Sequence, residues 1–245
     1  MTDPVRPRAH AFRLNGVEAL ADPAGVLVLP GVSTLIVSDL HFEKGSAYAA
    51  RGQLIPPYDT RSTLRRLAGR IAHHRPQRVV ALGDSFHDLG ADGRMDADDA
   101  AALQALVGSV ANWVWIEGNH DPAPPPRFGG TILHALSIGA LTLRHLPAEG
   151  AAPGEIAGHL HPCARVRGKG RAVRARCFAT DGTRLVMPAF GAFTGGLNVC
   201  DAAYDRCFGA RPDALIMGTE TVYPVAAAKL IPDRAQSRPK STAAR

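Results

Sequence analysis

Polar side chains that can bind metal ions follow several short apolar runs of this sequence. The fragment EGNHD places Asn119, His120 and Asp121 after the apolar run NWVWI. Polar groups at the end of a buried strand are costly to hold there unless something binds them. Four further fragments, SDLH, LGDS, LRHLP and AGHLHP, supply Asp39, His41, Asp84, His145, His159 and His161. Because ligands bind at the carboxyl ends of strands in open α/β folds, we expect these fragments to meet in one crevice.

The residue types of this set favour a pair of divalent metal ions. Two carboxylates, one amide oxygen and four imidazoles, with no thiolate, suit Mn²⁺, Fe or Zn²⁺. These seven groups exceed what one zinc ion needs, and a carboxylate such as Asp84 can give one oxygen to each of two ions. Glycines at positions 83, 118 and 158 directly precede members of the set, where a missing Cβ allows close backbone approach.

The elements around these fragments predict a mixed α/β fold. The apolar runs read as buried strands, and helices are predicted over residues 59–74 and 96–107, between the early strands. The later half lacks long helices and resembles successive hairpins, one of them around RGKGR at 167–171. We therefore expect a central sheet system with helices outside it, in a single domain over residues 1–231.

Composition and charge are those of an ordinary globular enzyme domain. The chain has 245 residues, of which 46% are hydrophobic, and a formal net charge of +6. This mild basic excess suits an anionic partner without requiring one. The residues from Lys229 to Arg245 contain five basic side chains and one acidic side chain, and we expect 232–245 to form a disordered basic tail. A solvated end and a nucleic-acid-binding tail are both open interpretations of it.

Several features predict a cytoplasmic protein without membrane contact. The four cysteines form no CxxC pair, so we expect free thiols in a reducing compartment. The stretch MTDPVRPRAHAFRLNG has charges and prolines where a signal peptide has an apolar core, and no apolar run reaches membrane-spanning length.

The order of the metal-binding motifs resembles that of calcineurin-like metallophosphoesterases, in which D-x-H, G-D, G-N-H-D/E, H and G-H-x-H follow one another. The resemblance covers residues 33–162 and implies a four-layer αββα sandwich with two metal ions. It implies that one ion is held by Asp39, His41 and His161, and the other by Asn119, His145 and His159. Asp84 would bridge the two ions.

Within GNHD, the resemblance implies that His120 is the catalytic histidine beside the scissile phosphate. We expect Asp121 to orient His120 through the ring nitrogen that the reaction does not use. His134, in GTILHALS, is the alternative to His145. Asp88 departs from the common family pattern, which has an aspartate three positions after the bridging one, because here it lies four positions after Asp84. We treat Asp88 as a candidate supporting group.

A run of basic residues follows the last motif. The fragment CARVRGKGRAVRAR, at 163–176, contains six cations and no acid. We expect a hairpin with Arg165 and Arg167 on one face and Arg174 and Arg176 on another. Such a ribbon suits a polyanionic backbone, and the alternative is an exposed edge protected by charge.

A second resemblance concerns the substrate. The segments SDLHFEKGSAYAARGQLIPPYDTRSTL, LGDSFHD and PAFGAFTGGLNV are similar to the ligase-associated DNA damage response endonucleases, bacterial metallophosphoesterases grouped with a DNA ligase, an exonuclease and a helicase. This resemblance implies a DNA endonuclease in bacterial repair, with those enzymes as partners. The candidate substrate contacts are Lys44, Arg51, His87, Arg165 and Arg167, for which surface ion pairing is the alternative.

Two other functions are compatible with these residues. One is a phosphodiesterase or phosphatase that acts on a nucleotide or another small phosphoester, because the ligand set alone does not select the substrate. The other is a scaffold that has lost catalysis. Since His120 and all seven ligand positions are filled, the sequence favours an enzyme, with Mn²⁺ as the expected metal.

Overall fold

The computed structural model describes residues 8–53, 55–56, 58–168 and 170–233. Most of the predicted basic tail, residues 234–245, lies outside this part of the chain, as does Lys169 of the predicted hairpin turn. In the described ranges, no helix combines the length and the apolar character needed to cross a membrane.

The first sheet contains seven strands that lie side by side in chain order. The strands are β1 (His10–Leu14), β2 (Val17–Ala21), β3 (Leu27–Leu29), β4 (Thr34–Val37), β5 (Arg78–Leu82), β6 (Asn112–Ile116) and β7 (Thr131–Leu133). The first four pair antiparallel, whereas β4 to β7 are parallel. The central parallel strands are continuous apolar runs because both faces of the sheet are covered.

Among the five α-helices that the structure describes, the two longest pack on the outer face of this sheet. The helices are α1 (Lys44–Ala49), α2 (Asp59–His74), α3 (Ala91–Arg94), α4 (Ala97–Gly108) and α5 (Ala202–Phe208). The observed α2 coincides with the predicted helix, and it buries Leu64, Leu67 and Ile71 at helical spacing. The predicted second helix is shifted by one residue, since Asp96 is the N-cap of α4 and accepts a hydrogen bond from the Asp98 amide.

The second sheet contains the remaining strands. They are β8 (Ala135–Ile138), β9 (Leu141–Arg144), β10 (Glu155–Ala157), β11 (Pro162–Arg167), β12 (Ala172–Thr180), β13 (Leu185–Val186), β14 (Leu197–Asn198), β15 (Asp213–Met217) and β16 (Val222–Val225). The order is β14-β11-β12-β13-β10-β9-β8, with β15 pairing with β12 and β16. Strands β9, β10 and β13 are parallel, so the carboxyl ends of β9 and β10 point the same way.

The two sheets pack face to face, and the mixed α/β fold expected from the sequence is confirmed. One apolar cluster fills the space between the sheets, with Ile36 and Val80 from the first sheet and Ile156 from the second. A second cluster joins α2 and α4 to the outer face of the first sheet, and a third joins α5 to the second sheet through Tyr204. The fourth layer is thus a single short helix.

The β11–β12 hairpin corrects one expectation. Arg165 lies opposite Arg174, and Cys163 lies opposite Arg176. Directly opposed residues of an antiparallel pair share a face, so the arginines 165, 167, 174 and 176 lie on one face, and the predicted separation into two faces is wrong. The register of the β11–β12 pair decides which face each arginine occupies, and the sequence period alone does not.

Three arginines of this hairpin form hydrogen bonds or ion pairs with other parts of the chain. The Arg176 guanidinium donates to the carbonyls of Ala189, Gly191 and Thr194. Arg174 pairs with Asp233, and Arg165 donates to the carbonyl of Pro232 at 2.9 Å. These arginines hold the 189–196 loop and the end of the described chain in place.

Candidate metal centre

Five strands from both sheets end at the same edge of the sandwich, and the predicted ligands follow them. Strands β4, β5 and β6 are parallel neighbours, as are β9 and β10. The residues that follow them are Asp39 and His41 after β4, Asp84 after β5, Asn119 after β6, His145 after β9, and His159 and His161 after β10. The carboxyl ends of the strands therefore bring together seven side chains that are distant in sequence.

Three of these side chains form a first group. One ligand atom from each of Asp39, His41 and His161 lies within 4.8 Å of the others. His161 Nε2 is 3.0 Å from Asp39 Oδ1 and 3.4 Å from His41 Nε2. The Asp39 Oδ1 atom is nevertheless buried without a correctly oriented hydrogen-bond donor. Two ring nitrogens and a carboxylate oxygen that converge in this way surround a point suited to a cation.

The second group contains Asp84, His145 and His159, again with ligand atoms within 4.8 Å. His145 Nδ1 lies 3.0 Å from the carbonyl oxygen of Leu82, which only accepts hydrogen bonds, so Nδ1 carries the proton. This leaves His145 Nε2 facing Asn119 Oδ1 at 3.0 Å and Asp84 Oδ1 at 3.3 Å. When the imidazole is neutral, Nε2 is an acceptor that faces two acceptor oxygens. A cation bound among these three atoms would remove their mutual repulsion.

Asp84 lies between the two groups. Its Oδ1 is 3.3 Å from His145 Nε2, and its Oδ2 is 4.0 Å from His41 Nε2 in the first group. One carboxylate thus offers an oxygen to each side, which is the geometry that a bridging ligand needs. The oxygen and nitrogen donors present fit two divalent cations.

Burial and neighbouring charges shift the pKa values of these groups. Burial alone would raise the pKa of Asp84, but the hydrogen bond and charge of His145 lower it to about 2. Burial likewise opposes protonation of His145, yet the carboxylates of Asp84 and Asp39 raise its pKa to about 9. Burial dominates at His41 and lowers its pKa to about 3. A cation at this position would take the place of the proton that the raised pKa favours on His145 beside the Asp84 carboxylate.

The backbone at the centre adopts conformations that L-residues rarely use. Asp39, His41, Asp84, His159 and His161 have positive φ angles between 45° and 67°. Aspartate and histidine tolerate this left-handed region better than most side chains, but each such residue costs roughly 1–2 kcal/mol. Strain of this kind persists where the surrounding structure holds it, and here it turns alternate side chains of the D-x-H and H-x-H motifs toward the centre.

Two glycines allow the loops to approach one another. A Cβ atom on Gly118 would lie 2.2 Å from the backbone nitrogen of Asp84. A Cβ atom on Gly158 would lie 2.1 Å from Ser38 Oγ and 2.8 Å from Asp39 Oδ2. Both contacts are far inside van der Waals distance, so these positions require glycine, as the sequence suggested.

His120 lies beside the bridging carboxylate. Its Nε2 is 3.9 Å from Asp84 Oδ2, and its backbone amide donates to Asp84 Oδ1 at 2.9 Å. The His120 side chain is 45% exposed, whereas those of Asp84 and His145 are almost fully buried. The ring is therefore next to both groups and open to an incoming substrate.

The structure corrects the role expected for Asp121. Its Oδ2 accepts hydrogen bonds from the backbone amides of Ser85 and Phe86, at 2.9 and 3.0 Å, and its Oδ1 has no hydrogen-bond partner. Burial, with the nearby Asp84 charge, raises the pKa of Asp121 to about 7. The expectation that Asp121 orients the His120 ring is wrong, because the carboxyl group holds the loop that carries Asp84.

The alternative histidine and the displaced aspartate lie outside both groups. The His134 side chain, between β7 and β8, is 80% exposed and pairs with Glu117 at 3.2 Å. Asp88 pairs with Arg94 at 2.7 Å and accepts a hydrogen bond from the Gly90 amide. His145, and not His134, therefore reaches the centre.

The predicted substrate residues separate into two sets. The His87 ring stacks on that of His120, with centroids 5.6 Å apart and an interplanar angle of 14°. Lys44 and Arg51 lie close enough to His87 to contribute, after burial, to lowering its pKa. Arg165 and Arg167 follow His161 along β11, about 13 Å and 20 Å further at the usual rise per residue. They stay candidate contacts for a long substrate.

Sequence reasoning missed one supporting residue. Ser38 Oγ donates to Asp39 Oδ2 at 2.5 Å, and the backbone amide of His159 donates to the same oxygen at 3.1 Å. Together they fix the carboxylate so that Oδ1 faces the first group. No signal beyond a small polar residue before Asp39 could have indicated this role.

The chain belongs to the calcineurin-like phosphoesterase family. The sequence profile of that family matches residues 32–165, more than half of the chain, and this range includes all seven predicted ligands. The family uses a dinuclear metal centre, and the structure has two groups of candidate metal ligands. The protein is therefore a metal-dependent hydrolase of phosphoesters.

One solved structure shares the fold of this chain, and a second gives a weaker match. The crystal structure of Pseudomonas putida nuclease MPE matches with a TM-score of 0.69 and 24% sequence identity, covering 89% of this chain and 100% of that chain. The phosphoesterase Yfce from E. coli matches with a TM-score of 0.38 and 15% identity, over 79% of this chain and 98% of that one. No match is found among curated proteins.

Proposed function

We propose that this protein is a two-metal phosphodiesterase that cuts DNA, an endonuclease acting in bacterial DNA repair beside a DNA ligase, an exonuclease and a helicase. The observation that carries the phosphodiesterase proposal is the position of Asp84 between two ligand groups with the exposed His120 ring beside it. The DNA substrate is supported by the resemblance of residues 38–64 to the ligase-associated endonucleases and by the fold shared with a Pseudomonas putida nuclease. The repair partners rest on the sequence resemblance.

The arrangement suits in-line hydrolysis of a phosphodiester. Two divalent cations at such a centre supply an activated water and neutralise charge on the phosphoryl oxygens. Asp39, His41 and His161 would hold one cation, Asn119, His145 and His159 the other, and Asp84 both. His120, open to substrate, would stabilise the charge that develops on the leaving oxygen or protonate it.

We further propose Mn²⁺ as the metal, with Fe or Zn²⁺ as the alternatives compatible with mixed oxygen and nitrogen ligands. A cytoplasmic location is supported by the four free cysteines. A single domain over residues 1–231 is supported by the apolar cluster that both sheets share.

The test is hydrolysis of bis(p-nitrophenyl) phosphate and of p-nitrophenyl phosphate by EDTA-treated protein, before and after addition of Mn²⁺. Activity that returns with Mn²⁺ and favours the diester supports the proposal and leads to assays on nicked, gapped and single-stranded DNA. Preference for the monoester would favour a phosphatase acting on a nucleotide or another small phosphoester. Failure to hydrolyse either compound would favour a scaffold.

A matched pair of variants makes this test specific. Asp84→Asn removes the bridging charge and keeps the size of the side chain, so we expect the Mn²⁺-dependent activity to be lost. Asp88→Asn makes the same chemical change four residues further on, at a carboxylate that pairs with Arg94 outside both groups. Equal loss in both variants would contradict the assignment of Asp84 as the bridge.

A further inference from the structure

An apolar groove runs between the two long helices on the outer face of the first sheet. Its volume is about 580 Å³, and the apolar side chains that line it are Leu64, Ala68, Ala102, Ala105 and Leu106. The two alanines of α4 are exposed, and its leucine is only half-buried. The opposite sides of α2 and α4 pack on the sheet, so among the described residues nothing covers this groove.

The sequence of α4 is that of a helix covered on every side. From Ala100 to Gly108 the only polar side chain is that of Gln104. A helix on a protein surface normally has one apolar stripe and one polar face, whereas a helix that is apolar all round is normally buried. The inner side of α4 packs on the sheet through Leu103 and Val107, but its outer alanines are exposed. This pattern indicates that another surface covers the outer side of α4.

Opposite charges lie on the two rims of the groove. Arg61 and Arg65 belong to the α2 rim, and Asp98 belongs to the first turn of α4. Arg61 is already paired with Asp99 at 2.8 Å, and this contact sets the first turns of the two helices side by side. Arg65 and Asp98 therefore lie within about one or two turns of each other along the groove. With the residues that the structure describes, neither of these two exposed side chains forms an ion pair or a hydrogen bond.

A second copy of the chain carries the matching surface. If a two-fold axis runs along the groove, α2 of each copy lies against α4 of the other copy, and the two contacts are identical. Arg65 of each copy then faces Asp98 of the other copy, and the apolar linings of the two grooves meet. A two-fold axis across the groove would instead set the positive rim against the positive rim, which like-charge repulsion disfavours. The charges of the rims therefore select the first arrangement.

We propose that the groove between α2 and α4 is the interface of a homodimer, in which Arg65 of each copy pairs with Asp98 of the other copy. Because α2 and α4 each connect two parallel strands, both helices run opposite to β4, β5 and β6. A two-fold axis along the groove thus puts both metal centres on the same side of the dimer. The residues that line the groove belong to neither ligand group, so the dimer leaves both centres open.

Sedimentation equilibrium of the full chain, from about 1 μM to about 100 μM, tests this dimer, and we expect the wild type to dimerise in that range. Arg65→Asp and Asp98→Arg each set like charges opposite one another at two places, so each should weaken the dimer roughly tenfold or more. An equimolar mixture of these two variants restores both contacts between opposite charges. We therefore expect the mixture to form a heterodimer of near wild-type strength.

Two further pairs of variants separate the groove from the rest of the surface. Ala102→Glu places a charge in the groove and should weaken the dimer, whereas Ala202→Glu makes the same change at an exposed alanine of α5 and should not. Arg211→Asp reverses an exposed charge outside the groove, and it should leave the dimer at wild-type strength where Arg65→Asp does not.

Three results would overturn the homodimer. The first is a wild type that stays monomeric at about 100 μM, which would leave the groove free for a different protein. The second is a dimer that neither charge reversal weakens, because its interface would then lie elsewhere. The third is a mixture of Arg65→Asp and Asp98→Arg that associates no better than the single variants, because net charge and not the paired contact would then explain their effect.

Discussion

The Nε2 atom of His120 lies 3.9 Å from Oδ2 of Asp84, so the ring borders the carboxylate that we propose as the bridge without belonging to either candidate ligand group. A residue in this place contributes to the reaction and little to metal retention. We therefore expect His120→Ala to keep two metal ions per protein while kcat on a phosphodiester falls by about 10²–10⁴-fold. Metal analysis by mass spectrometry alongside steady-state kinetics checks this. Near wild-type turnover with both metals bound would refute the assignment.

Metal content should distinguish His145 from His134. His145 Nε2 faces Asp84 and Asn119, whereas the His134 side chain is 80% exposed. We expect His145→Ala to lose the ion of the second group, so that the measured metal content falls from about two to about one per chain, as loss of a ligand lowers affinity. His134→Ala is the matched control and should retain both ions. Loss of metal only in the His134 variant would reverse the assignment.

The salt dependence of DNA binding should report whether Arg165 and Arg167 contact the substrate. Each phosphate contact on a single strand adds about 0.7 to the slope of log K against log salt concentration. If both arginines contact phosphates, the double variant Arg165→Gln/Arg167→Gln should reduce this slope by about 1.4. The double variant Arg206→Gln/Arg211→Gln removes the same charge from an exposed region around α5. Equal slopes in the two double variants would show that net charge alone accounts for the effect.

Asp22 should make the stability of the fold depend on pH. Its buried carboxylate lies 2.8 Å from His74 Nε2 and 3.5 Å from an Arg70 nitrogen. These two contacts connect the end of β2 to α2. Burial alone would raise the pKa of Asp22, but the hydrogen bonds from His74 and the Ala24 amide, with the charge of Arg70, lower it below 3.8. Asp22→Asn should destabilise the protein by about 1–3 kcal/mol near neutral pH.

The direction in which stability changes with pH follows from the lowered pKa of Asp22. The carboxylate contributes its full stability above its pKa in the unfolded chain, and this contribution is lost as the pH falls through the lower folded-state pKa. The difference between wild type and Asp22→Asn in denaturant titrations should therefore be largest at pH 6 to 7 and shrink below about pH 4. Asp92→Asn, at an exposed pair with Arg127, should change stability by less than about 1 kcal/mol. A difference that grows on acidification would contradict this account.

Local sequence patterns predicted the elements whose structure depends mainly on residues close to one another in the sequence. The helix over Asp59–His74 follows from its apolar spacing, and the ligand loops follow from apolar runs that end in polar dipeptides such as Gly-Asp, Gly-Asn and Gly-His. The short helix with Tyr48 was not predicted, because its stability comes from Asp59 and Arg94 in other elements. The role of Asp121 was missed for a related reason, since neighbours in sequence need not be neighbours in a tight loop.

The left-handed backbone of the ligand residues implies that the centre works against the stability of the fold. The left-handed conformation of His41 costs roughly 1–2 kcal/mol, which the contacts of its buried ring must offset. The D-x-H and H-x-H loops therefore hold strain that the rest of the fold must balance.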